Sequence, residues 1–109
     1  MSKYHVELEK WAALDILNQM GNIGSEVGRS IKAKNDGDQE RFEGALKRAL
    51  DLFDATTEVL TAQQSPRVRE VLLAKYQYLS LFFARRRSED PVSLENYFMQ
   101  FAIAARRDR

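Results

Sequence analysis

The sequence predicts an all-α fold, a four-helix up-and-down bundle forming one domain over residues 1–109, and three observations carry the prediction. Apolar residues recur at i, i+3, i+4 spacing through four long segments. With two prolines, five glycines and almost no apolar–polar alternation, there is little material for strands and tight turns. The breaks between segments are short, and short connections favour antiparallel neighbours.

The first predicted helix begins near Lys3 or Tyr4 and runs to about Lys34. Tyr4, Leu8, Trp11 and Ala12 share a face that Ile16, Met20, Ile23, Val27 and Ile31 continue, and Asn35, Asp36 and Gly37 supply the stop. Gly21, Gly24 and Gly28 interrupt it at a cost of about 1 kcal/mol each relative to alanine. Gly24 and Gly28, four residues apart, offer a face on which another helix can approach closely. The competing expectation is a break in the Gly21–Gly24 stretch, at Gly21–Asn22, that divides the segment in two. No strand precedes these glycines and no Gly-Lys-Ser/Thr follows, so they do not form a phosphate loop.

Asp38, or alternatively Asp36, caps the second helix. Its apolar face is traced by Phe42, Ala45, Leu46, Ala49, Leu52, Phe53, Thr56, Val59 and Leu60, opposite a charged stripe of Lys47, Asp51, Asp54 and Glu58. Residues 61–64 connect to Ser65-Pro66, a start signal because proline at the first helical position gives up an N–H that has no partner there. The third helix then spans Pro66 to about Arg86. Ser88-Glu89-Asp90-Pro91 ends it, and Asp90 or Ser93 caps a fourth that reaches about Arg106.

The third and fourth helices carry too much apolar surface for one core. At about 100° per residue, Tyr76, Tyr78, Leu79, Leu81, Phe82 and Phe83 spread over roughly 220° of the cylinder. A helix facing one core needs a stripe only somewhat wider than about 100°. The last helix, with Leu94, Tyr97, Phe98, Met99, Phe101, Ala102, Ile103 and Ala105, is apolar nearly all round. The excess must be covered by other helices or by another chain. A homodimer joined through Tyr78, Leu81, Phe82, Tyr97, Met99 and Ile103 is the expectation, with a further protein partner as an extension of it.

The composition argues against several chemistries. There is no cysteine, which excludes disulfides and thiolate ligands, and the only histidine is His5. A di-iron bundle needs Glu-x-x-His on two helices, and His5 has no such motif around it. Asp51, Asp54 and Glu58 lie opposite the apolar stripe, where a solvated face is the simpler reading. The expectation is a protein without metal or cofactor and without enzymatic activity. The formal charge of +1 gives no global attraction to nucleic acid, so such binding would rest on a local rim of Lys32, Lys34, Arg85, Arg86 and Arg87. The same cations would also offset helix-dipole ends by about 0.3–1 kcal/mol each. Asp36, Asp38, Glu89 and Asp90 stand close enough in sequence to neutralise much of that rim. No apolar run approaches the roughly 20 residues that span a bilayer, and the expected location is the cytoplasm.

Three phrases, NIGSEVGRSIKAKNDGD (22–38), RFEGALKRALDLFDAT (41–56) and NYFMQFAIAAR (96–106), resemble a family of small all-helical prokaryotic proteins without an assigned activity. A more distant likeness is to HEPN-type helical bundles, often found with minimal nucleotidyltransferases in toxin–antitoxin pairs. The nucleases of that class carry an arginine followed a few residues later by histidine. His5 precedes every arginine here, so the resemblance implies a non-nuclease member that dimerises or binds nucleotides or nucleic acid.

Overall fold

Asp15 divides what the apolar spacing joins. In the structure, a computed structural model that describes residues 7–84 and 90–107, the first predicted helix is two: α1 over Leu8–Ala12 and α2 over Ile16–Asn35. Asp15 has extended backbone and its carboxylate accepts the Asn18 N–H at 2.8 Å, the geometry of an N-cap. Gln19 covers the carbonyls freed by the break, donating from Nε2 to Trp11 O at 3.2 Å and Leu14 O at 2.9 Å. Trp11 Nε1 donates to the buried Thr56 Oγ1 at 2.8 Å and so ties α1 to the helix over Gln39–Ala62.

The expected alternative of a break at Gly21–Gly24 is therefore corrected: α2 runs unbroken through all three glycines. Among the described residues five helices replace the expected four, with α3 over Gln39–Ala62, α4 over Val68–Phe83 and α5 over Pro91–Arg107, and there is no strand. Among the described residues no helix is long and apolar enough to cross a membrane.

The ends of the helices follow local chemistry. Gly37 takes a φ of +72° just past α2, and Asp38 caps α3 by accepting the Arg41 N–H at 3.1 Å. Asp36 instead closes α2. Past α3, Gln64 adopts a φ of +54°, and the Ser65 N–H bonds back to Leu60 O at 2.9 Å. Pro66 starts a turn rather than the helix proper, so α4 begins two residues later than expected. It ends at Phe83, short of the expected Arg86, because Ala84 is extended. Asp90 caps α5, with Oδ1 accepting the Val92 N–H at 3.1 Å and Oδ2 the Ser93 hydroxyl at 3.3 Å.

α2 packs against both α3 and α5, while α4 rests mainly on α3. Phe98 of α5 presses on α2 at Gly24, where an added Cβ would stand 2.6 Å from Phe98 Cβ. At Gly21 it would reach Ala102 Cα at 3.5 Å, an ordinary contact, and at Gly28 it would meet nothing within 4 Å. The expected Gly24–Gly28 face is thus corrected to Gly21–Gly24, since α5 has moved away from α2 by the level of Gly28. The core gathers Met20, Ile23 and Val27 of α2, Phe53 of α3, and Val71 and Tyr78 of α4. Its rings meet edge-on or tilted, Phe53–Tyr78 at 5.8 Å, Phe53–Phe98 at 6.0 Å and Tyr78–Phe82 at 5.5 Å between centroids.

Candidate functional site

Helical geometry sorts the side chains of α4 into two apolar faces. Val71, Ala74, Tyr78 and Leu81 form the buried one. Leu72, Tyr76, Leu79 and Phe83 follow i, i+4, i+7, i+11 along the opposite side, with Leu73 beside them. Tyr76 is 69% exposed, Phe83 65%, Leu73 56% and Leu72 47%, while Leu79 is half-buried. Taking about 200 Å² per aromatic side chain, the two rings alone leave roughly 250 Å² in contact with water. With the leucines, the stripe reaches the few hundred Å² above which apolar patches on monomers become uncommon.

The six residues expected at an oligomer contact divide three ways. Tyr78 and Leu81 are buried in their own chain, which corrects their assignment: neither has surface left for another molecule. Tyr78 is held there because Ser30 Oγ, which donates to Val27 O at 2.7 Å, accepts the phenol at 2.7 Å. Burial pushes the Tyr78 phenol up to about 12, and the nearby Glu26 charge adds to the rise.

Phe82 and Tyr97 are half-buried. Phe82 packs edge-on against Phe42 at 4.9 Å. Tyr97 meets Phe98 and Phe101 and donates its hydroxyl to Glu70 Oε2 at 2.6 Å, joining α5 to α4. Its phenol is pushed strongly up, first by burial and then by that carboxylate. Only Met99 and Ile103 are open, at 53% and 42%. They lie roughly 120–160° around α5 from Tyr97, so they face away from α4 and form a second, separate apolar strip.

Leu72 and Tyr76 stand at helical spacing from Val68 and Val71, and the structure turns both outward. The signal for the outer stripe was the over-wide arc itself, which already contained Tyr76, Leu79 and Phe83.

Of the expected cationic rim, Lys32 pairs with Asp36 Oδ2 at 3.2 Å, and Lys34 Nζ stands 4.9 Å from the Phe42 ring centroid. Arg85, Arg86 and Arg87 lie outside the described residues, as do Tyr4 and His5. Asp54 and Glu58 are exposed, and Asp54 accepts Lys75 Nζ at 2.8 Å, a link between α3 and α4. Among the described residues no three His, Asp or Glu side chains are grouped so as to hold a metal ion.

Comparison with protein-family models, with curated proteins and with solved structures finds no match to this chain.

Proposed function

We propose that this protein is a non-enzymatic, self-associating helical module, and that a second copy covers the outer face of α4. The observation that carries the proposal is the stripe of Leu72, Leu73, Tyr76, Leu79 and Phe83, whose solvent-facing positions combine two aromatic rings with aliphatic neighbours. Its five side chains bear no charge, which suits packing against a like surface better than steering toward a charged partner. A two-fold pairing uses the same patch on both subunits, so one stripe suffices for both halves of the contact.

Behind that face, α2 to α5 form an up-and-down bundle in this reading. Contacts at similar distances either side of the α2–α3 and α3–α4 connections, and opposite-running contacts between α2 and α5, support it. Glu26 meets Arg48, Asp54 meets Lys75, Glu70 meets Tyr97, and Gly21 and Gly24 stand beside Ala102 and Phe98. The rigid bundle would present the stripe, and the pathway it serves would be set by what the dimer engages. Light scattering coupled to size exclusion, run from about 1 to 100 µM, tests the proposal across the range where interfaces of modest affinity saturate. The expected result is twice the chain mass, falling toward one on dilution. A single-chain mass throughout would overturn it.

A further inference from the structure

A buried carboxylate with two arginines is left unexplained by self-association. Glu26 of α2 is 8% exposed. Its Oε2 accepts Arg48 Nε at 3.1 Å, and its Oε1 stands 3.2 Å from Arg29 Nη1 without a hydrogen bond. One carboxylate thus holds two guanidinium groups, and one positive charge of the trio is unbalanced. Because Arg48 is gripped through Nε, its Nη1, on the opposite edge of the planar guanidinium, is turned away from Glu26. Arg48 Nη1 lies over Gly44, 3.3 Å from where a side chain there would begin, so the absence of a Cβ makes room for the guanidinium. Beside it opens a cleft of about 460 Å³ lined by Arg29, Glu40, Arg41, Gly44, Ala45 and Arg48. Arg41 adds a third cation whose own partner, Asp38, is 3.9 Å away.

We propose that this cleft between α2 and α3 binds the phosphate of a small phosphomonoester. Three guanidinium groups and the Glu40 carboxylate line its wall, with Glu26 buried behind Arg29 and Arg48 and Asp38 beside Arg41. The lining offers no aromatic ring or large aliphatic side chain. The occupant is therefore a compact polar anion rather than an apolar molecule or a stacked base. Arginine suits phosphate because its planar fork of N–H donors matches two oxygens at once. Glu26 positions Arg29 and Arg48 so that less side-chain freedom is lost on binding. A dianionic monoester gains more from this wall than a monoanionic diester does. Glu40, at the edge, disfavours a second negative group and so sets the preference for one phosphate.

The test is a titration of the full chain with inorganic phosphate at constant ionic strength, followed by amide NMR shifts, with dimethyl phosphate and chloride as parallel arms. The expected outcome is saturable movement of the Gly44, Ala45 and Arg48 amides, with phosphate binding about tenfold tighter than dimethyl phosphate. Arg41→Gln, at an exposed position, weakens it about threefold or more, and Arg48→Gln about tenfold. Shifts that chloride reproduces, that dimethyl phosphate matches at equal concentration, or whose midpoint is unmoved in Arg41→Gln would each overturn the proposal. Should Arg48→Gln fail to fold, Arg41→Gln and the two control anions still decide it. The outcome does not depend on whether the chain dimerises.

Discussion

A methyl group added at Gly24 would stand 2.6 Å from Phe98 Cβ, whereas one added at Gly28 would meet nothing within 4 Å. Both residues sit inside the same helix, so alanine brings each the same gain in helix propensity, about 1 kcal/mol. At Gly28 that gain is uncontested, and Gly28→Ala is expected to raise stability by up to about 1 kcal/mol in urea unfolding. At Gly24 the clash with the root of the Phe98 side chain requires α5 to move, and overpacking of this kind costs about 1–3 kcal/mol. Gly24→Ala is therefore expected to be neutral to destabilising by about 2 kcal/mol, the two effects opposing each other. If both variants gain equally, α5 does not rest where Gly24 places it.

Tyr78 makes a second prediction at this scale. Its phenol ionises near pH 10 in the unfolded chain and near 12 in the folded one. Below pH 10 both states keep the proton and its stabilising contribution is complete. Between 10 and 12 the unfolded state loses the proton first, and stability falls by up to about 1.4 kcal/mol per pH unit. Above 12 the contribution is gone. Tyr78→Phe has no such proton to lose. It is expected to start about 1 kcal/mol less stable at pH 8, through the lost Ser30 bond, and to gain on the wild type between pH 10 and 12. Parallel stability curves across that window would contradict the placement of Tyr78.

At the scale of the element, α4 decides the account. Leu81→Ala on its inner face is expected to cost about 2–5 kcal/mol of stability. Leu73→Glu on its outer face should change that of the dilute monomer by no more than about 0.5 kcal/mol. Chemical unfolding of the two variants at low concentration checks the contrast.

The helix limits near Asp38 and Asp90 were legible because short polar side chains there satisfy free N–H groups, a strictly local interaction. The break at Asp15 was masked, since the apolar sequence Trp11, Ile16, Met20 continues across it at near-helical intervals. An aspartate inside an apolar pattern was the available signal. Which side of α4 faces inward was not legible, because both sides are apolar and periodicity ranks neither. Long-range partners settle it: Ser30, 48 residues away, gives Tyr78 a buried hydrogen bond that Tyr76 has no counterpart for. Glu26 was likewise hidden, because Arg48 joins it only after α2 and α3 come together.

For the whole molecule, the chain builds one continuous core from all five helices yet leaves Leu72, Leu73, Tyr76 and Phe83 in water. Met99 and Ile103 form a smaller exposed strip on α5, directed elsewhere. If association ran through α5, charge at Met99 would dissolve the dimer and charge on α4 would not. Sedimentation equilibrium of the Leu73→Glu/Tyr76→Glu double variant beside the wild type therefore tests the central claim most directly. The account predicts a dimer for the wild type and a monomer for the variant, with helical circular dichroism unchanged. A variant that remains dimeric, or a wild type that never leaves the monomer, would contradict it.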